Sequence, residues 1–135
     1  LDRMATTRPS FEIQPKVTPE EILTMQELVN QVYVDETVRN YIVKLVFATR
    51  NVAAIDSSLK PWIRIGASPR ATINLTLAGR AWALLEGRAY VTPDDIKAIA
   101  PDVLRHRILL TYEAEAEQVS TDTIVRTLLS KVAVP

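Results

Sequence analysis

The segment from Ser68 to about Glu86 constrains the fold more than any other part of this 135-residue chain. Its apolar residues recur at helical spacing in two stripes. These are Ala71, Leu75, Ala78, Trp82 and Leu85, and Ile73, Leu77, Ala81 and Leu84. Because a helix that is apolar on two sides must bury both, we expect this helix at the centre of its domain. Gly87 supplies the residue type that commonly ends such a helix.

The rest of the chain predicts shorter helices around this central one. Capping residues and apolar spacing predict helices over residues 18–31, 35–51, 92–103 and 121–131. Extended or irregular backbone is predicted for residues 11–17, 52–67 and 105–112. Glu113 to Gln118 is predicted to be an acidic surface segment. The predicted fold class is mainly α, a compact helical bundle with at most a short pair of strands.

Composition limits the classes of function. Hydrophobic residues make up 47% of the chain, which suffices for one domain with a core, and the formal net charge is zero. A chain without net charge has no overall field to attract nucleic acid or an anionic membrane, so we expect neither as a partner. No apolar run approaches the roughly 20 residues that span a bilayer. The absence of cysteine excludes disulfides, iron–sulfur clusters and thiol catalysis.

The residues that catalysis requires are missing as well. The three glycines, Gly66, Gly79 and Gly87, do not have the spacing of a phosphate-binding loop, and no Lys-Ser or Lys-Thr pair follows them. His106 is the only histidine, which excludes a histidine-based zinc site. We therefore expect neither catalytic residues nor a metal site in this chain by itself.

Three helix starts share a Ser-Pro or Thr-Pro pair but differ in charge. Acidic residues follow Thr18-Pro19 and Thr92-Pro93, which suits the positive end of the helix macrodipole. Ser68-Pro69, the predicted N-cap and first helical residue, is followed instead by Arg70. A cation beside free N–H groups favours an anion from outside, such as a phosphate. The plainer interpretation is an exposed arginine that happens to lie early in a helix, with or without an acid elsewhere as its partner, since the misplaced charge costs only about 0.3–1 kcal/mol.

These residues resemble a known family. The run Gly66-Ala67-Ser68-Pro69-Arg70-Ala71 is similar to the sensor 2 motif of the MoxR family of AAA+ ATPases. The similarity continues in Val34-Asp35, Tyr41-Ile42-Val43, Ala48-Thr49-Arg50, Arg80-Ala81-Trp82-Ala83-Leu84, Gly87 to Ile96 and Val103 to Ile108. It covers the chain from about Val17 onward.

The resemblance implies the C-terminal helical lid of such an ATPase. Residues 17–135 would form the lid, and residues 1–16 a linker or the end of a preceding domain. Arg70 would be the sensor 2 residue that reaches the terminal phosphate of ATP, with Ser68, Pro69 and Ala71 forming the helix start. ATP and Mg²⁺ would be held mainly by a core domain with Walker A and Walker B motifs. This chain lacks those motifs and by itself would not be catalytic.

The resemblance also implies partners and a location. The partners would be the protein's own N-terminal core domain, the neighbouring subunits of a hexameric ring, and a protein client that ATP hydrolysis remodels or matures. The location would be cytoplasmic. The residues leave one alternative open, a helical adaptor or nucleic-acid-binding module. In that module Arg64, Arg70, Arg80 and Arg88 would contact phosphates.

Overall fold

The computed structural model describes residues 14–135, which form six α-helices and one short pair of strands. The helices are α1 (Pro19–Gln31), α2 (Glu36–Arg50), α3 (Arg70–Leu85), α4 (Pro93–Leu104), α5 (Tyr112–Ala116) and α6 (Thr121–Lys131). The strands are β1 (Ile63–Ile65) and β2 (Leu109–Leu110), and 3₁₀ turns occupy Val52–Ala54 and Ser57–Trp62. Residues 1–13, and with them most of the predicted linker and the first three residues of the predicted extended segment, lie outside the described part. The predicted mainly α fold is confirmed.

The core lies where α3 meets the helices around it. α3 contacts α1, α2 and α4, and α6 closes the other side against α2 and α4. The largest side chains that are fully buried include Tyr41, Ile42, Leu45, Leu75, Ile96, Leu104, Ile124 and Leu128. α3 therefore packs against three other helices, as α2 and α4 also do, and the predicted central position holds only for the side of α3 that faces the core.

The two predicted stripes of α3 are not both buried. The buried residues of this helix are Ala71, Leu75, Gly79 and Ala83, a single stripe at intervals of four. Ile73 is 59% exposed and Leu77 45% exposed, and Leu85 at the helix end is 82% exposed. The expectation of two buried sides is wrong, because the described residues cover only one side of α3.

Gly79 lets α3 and α4 approach each other closely. A Cβ atom at this position would lie 2.7 Å from Cδ1 of Ile96 and 3.3 Å from Cγ1 of Val91. Both neighbours are buried, so a larger residue would push the two helices apart. This contact helps to hold α3 against α4.

The strand pair joins two segments that are distant in sequence. β1 and β2 are antiparallel, with Ile63 opposite Leu110 and Ile65 opposite Leu109. The extended prediction for residues 105–112 is too long, because the chain turns after α4 and only two of these residues form the strand. The predicted acidic surface segment, Glu113 to Gln118, is exposed apart from Ala114, and its residues 113–116 belong to α5. Thr111 caps this helix by accepting a hydrogen bond from the amide of Ala114 at 3.2 Å.

Candidate functional site

The start of α3 carries the predicted site residues and is exposed. Ser68, Pro69 and Arg70 lie at the surface, while Ala71 is fully buried and fixes the first turn to the core. The turn is tight: the amide of Ala71 donates to the carbonyl of Ser68 at 2.8 Å, and that of Thr72 to the carbonyl of Pro69 at 3.0 Å. The helix thus begins on i to i+3 hydrogen bonds.

The predicted N-cap at Ser68 is wrong. No side chain caps α3 within the described residues, and Pro69 already has helical dihedral angles, φ −55° and ψ −22°. The cause is the tight turn, because the carbonyl of Ser68 accepts the amide of Ala71 that its hydroxyl would otherwise cap. Proline has no N–H, and the amides of Ala71 and Thr72 find acceptors within the turn, so the first turn is left with the amide of Arg70, which no side chain of the described residues caps.

Arg70 has no acidic partner in residues 14–135. None of the ion pairs in that range includes it, and the first turn of α3 contains no acidic residue. The plainer interpretation, an arginine that simply lies exposed early in a helix, agrees with this arrangement, and only the optional acidic partner is missing from the described residues. What remains is an exposed cation at the positive end of an uncapped helix, which is an arrangement that favours a bound anion.

A close contact with the end of α2 positions this helix start. A Cβ atom at Gly66 would overlap the carbonyl oxygen of Thr49 and lie 2.8 Å from the Cα atom of Arg50. Only glycine permits this approach of two backbones. The next residue, Ala67, donates its amide to the hydroxyl of Thr49 at 2.9 Å. The two residues that precede Ser68 are therefore tied to α2.

The charge of the chain is divided between segments. From Thr37 to Leu85 there are seven basic residues and one acidic residue, Asp56, which pairs with Lys131 at 2.9 Å. Three of these cations, Arg50, Lys60 and Arg64, line a polar cleft of about 400 Å³ beside Gly66. Because acidic residues elsewhere balance it, this basic region does not show in the net charge of zero. Counting basic and acidic residues in each segment of the sequence would have revealed it. The region that contains Arg70 is suited to anionic partners.

Arg88 and Asp95 form an ion pair that sequence spacing did not predict. Asp95 is only 4% exposed, and both of its carboxylate oxygens accept hydrogen bonds from the Arg88 guanidinium. The same carboxylate accepts the amide of Thr92 at 2.7 Å and its hydroxyl at 2.9 Å. Burial raises the pKa of Asp95, but the hydrogen bonds from Arg88 and Thr92 lower it by more, so the net shift of the pKa is downward.

This ion pair weakens the nucleic-acid alternative. Arg88 is occupied by Asp95 and is not free to contact a phosphate. Arg80 is partly buried, and its Nε atom is enclosed. Of the four arginines that the alternative uses, only Arg64 and Arg70 remain exposed and unpaired within the described residues.

Residues 14–135 contain neither a metal-binding cluster nor a membrane-spanning helix. No group of three or more His, Cys, Asp or Glu residues there has the geometry to hold a metal ion. Within the same range no helix combines the length and apolar character needed to cross a bilayer. His106 lies exposed in the turn after α4, beside the guanidinium of Arg107.

Comparisons with known proteins identify the class. Residues 55–128 match the family described as the AAA lid domain, and the chain belongs to this family. The resemblance to the helical lid of MoxR-type AAA+ ATPases is thereby confirmed. The chain is 37% identical to the chaperone MoxR1 of Mycobacterium tuberculosis, across 98% of this chain and 35% of that protein. It is 41% identical to the MoxR protein of Paracoccus denitrificans, across 58% of this chain and 25% of that protein.

A solved structure agrees with the fold. A protein from Cytophaga hutchinsonii, named as a candidate ATPase, superposes with a TM-score of 0.92 and 40% identity. The match covers 99% of this chain and 41% of that one. The chain thus spans well under half the length of the relatives it matches.

Proposed function

We propose that Arg70 is the sensor 2 residue of an intact ATPase and contacts the terminal phosphate of bound ATP. The observation that carries this proposal is the exposed, unpaired guanidinium at a helix start that no side chain of residues 14–135 caps. ATP and Mg²⁺ would be held mainly by a core domain that precedes this chain. In this proposal residues 17–135 are the lid, and residues 1–16 are the linker or the end of the preceding domain.

The chemistry required of Arg70 is electrostatic. During phosphoryl transfer, negative charge spreads over the oxygens of the transferring group, and a guanidinium placed there stabilises it. The planar fork of arginine gives two parallel hydrogen bonds, which a lysine cannot provide. Because Arg70 lies on the lid and the other phosphate contacts lie on the core, loss of the terminal phosphate would change the angle between the two domains.

Exposed apolar residues next to Arg70 support a covering domain. Val43 of α2 and Ile73 and Leu77 of α3 line a groove of about 320 Å³, which begins one turn beyond Arg70. All three are more than two fifths exposed in this chain. Their burial against the core domain would stabilise the closed lid by roughly 25 cal/mol per Å² of apolar surface removed from water.

The motion of the lid would drive the work of the assembly. In this proposal it acts in a hexameric ring in the cytoplasm, where neighbouring subunits respond to the lid angle. The output is chaperone-like remodelling or maturation of a protein client. The name of the chaperone MoxR1 supports this output.

The experiment is steady-state ATP hydrolysis by the full-length protein that contains this chain. Arg70→Ala removes the guanidinium and is expected to lower kcat by about 10²-fold. This is the usual effect of deleting one preorganised hydrogen-bond donor to a developing negative charge. Arg126→Ala, an exposed arginine of α6 outside the ion pairs of residues 14–135, is the matched control and should stay within about twofold of the wild type. Full activity of Arg70→Ala would contradict the proposed role.

A further inference from the structure

Thr49 is a buried polar side chain that connects two separate elements. It lies near the end of α2 and is 1% exposed. Its hydroxyl donates to the carbonyl of Val46 at 2.7 Å and accepts the amide of Ala67 at 2.9 Å, 18 residues further along the chain. The first bond lies within α2, and the second extends to the segment that leads into α3.

We propose that Thr49 is a positioning residue that fixes where Arg70 stands relative to α2. This proposal rests on the proposed function of Arg70. Ala67 is fully buried and lies three residues before Arg70, while Ser68 and Pro69 between them are exposed. On the N-terminal side of Arg70, the nearest contacts with α2 are therefore the hydrogen bond from Ala67 to Thr49 and the backbone contact at Gly66.

The two bonds of the Thr49 hydroxyl orient each other. Because the hydroxyl proton is directed at the carbonyl of Val46, an oxygen lone pair is left for the amide of Ala67. Valine has nearly the same shape as threonine but can do neither, and it would leave the amide of Ala67 buried without an acceptor. Such a buried donor would be relieved only by movement of the turn that carries Arg70.

A small displacement of Arg70 is expected to affect catalysis. A misplacement of about 1 Å costs up to roughly 10²-fold in rate when a group must meet a transition state. In the intact ATPase, Thr49→Val should therefore lower kcat by about tenfold or more with little change in KM. Thr49→Ser keeps the hydroxyl and should restore kcat to within about threefold of the wild type.

The control separates positioning from a general loss of stability. Thr127 of α6 donates its hydroxyl to the carbonyl of Thr123 at 2.9 Å, within the same helix. Thr127→Val thus loses a threonine hydrogen bond that connects no second element. It should leave kcat within about twofold of the wild type, with both variants checked by urea unfolding.

The decisive comparison is a double-mutant cycle in the intact ATPase. If Thr49 acts through Arg70, Thr49→Val should change kcat by less than about twofold in the Arg70→Ala background. Multiplicative losses in the double variant would indicate a structural role and overturn the proposal. Unchanged kcat for Thr49→Val, together with a large loss for Arg70→Ala, would overturn it and leave the role of Arg70 intact. Full activity of Arg70→Ala would overturn both.

A second readout on this chain needs no nucleotide. Amide hydrogen exchange at Ala71, whose N–H closes the first turn of α3, should be at least about tenfold faster in Thr49→Val and unchanged in Thr127→Val. If Thr49→Val does not fold, lactic acid in place of Ala67 removes only the N–H donor and keeps Thr49. Exchange at Ala71 that is unaffected by loss of the donor would contradict the proposal.

Discussion

The starts of α3 and α4 have nearly the same sequence pattern and opposite structures. At α4, Thr92 caps the helix, Asp95 completes the capping box, and Arg88 neutralises the buried carboxylate. At α3, the hydroxyl of Ser68 makes no capping hydrogen bond within the described residues, and the guanidinium of Arg70 is exposed to solvent. The first start is complete within the chain, whereas the second has an exposed guanidinium, that of Arg70, with which no acid in residues 14–135 pairs. The proposed phosphate contact of Arg70 rests on this difference.

The largest expected effect on stability is at the start of α4. Arg88→Ala leaves the carboxylate of Asp95 buried without its cation, which should lower the free energy of unfolding by about 3 kcal/mol. Arg70→Ala removes an exposed arginine and should change it by less than about 0.5 kcal/mol. Urea unfolding of the two variants measures both values. Equal losses would remove the contrast between the two helix starts.

The helix caps provide a smaller version of the same contrast. Thr92→Ala should cost about 1–2 kcal/mol, because the hydroxyl of Thr92 caps α4 and also donates to Asp95. Ser68→Ala should cost less than about 0.5 kcal/mol, since its hydroxyl caps nothing in residues 14–135. Thermal unfolding of Thr92→Ala, Ser68→Ala and the wild type measures both costs. A cost for Ser68→Ala close to that for Thr92→Ala would show that the hydroxyl of Ser68 caps α3 in solution.

The smallest effect concerns pH. The pKa of Asp95 is lowered in the folded chain, so its contribution to stability is complete above the unfolded value of about 3.9 and is lost as the pH falls through the folded value. Hydrogen bonds from Ser58 and Lys131 lower the pKa of Asp56 to about 2, with the same sign. The stability difference between the wild type and Asp95→Asn should therefore shrink between pH 5 and pH 2. A constant difference would contradict the lowered pKa of Asp95.

Local patterns in the sequence predicted most of the fold. The Thr-Pro-acid pattern locates the starts of α1 and α4, and Asp35 accepts the amide of Thr37 at the start of α2 as expected. Capping involves atoms within three residues of each other, so the sequence contains the whole interaction. The same reasoning failed at Ser68, where the choice between a side-chain cap and a tight backbone turn depends on how Gly66 and Ala67 are held by α2.

The interactions missed by the sequence analysis join residues without a fixed spacing. Arg88 and Asp95 lie seven residues apart across a connector and a helix start, where no periodicity applies. The bond from Ala67 to Thr49 depends on how α2 and α3 pack. The second apolar stripe of α3 was identified correctly as apolar, but whatever covers it is not among the described residues. The role of Arg70 came from the resemblance, with the charge at the helix start as independent support.

Turnover and stability of Arg70→Ala and Arg88→Ala, measured side by side in the intact ATPase, test the central claim most directly. We expect each variant to lose a different property, kcat in Arg70→Ala and stability in Arg88→Ala. Arg70→Ala should lose about 10²-fold in kcat with unfolding unchanged, and Arg88→Ala should lose stability but hydrolyse ATP within about threefold of the wild type at a temperature where it is folded. An Arg70→Ala variant that hydrolyses ATP as fast as the wild type would contradict the claim that the start of α3 completes the nucleotide site.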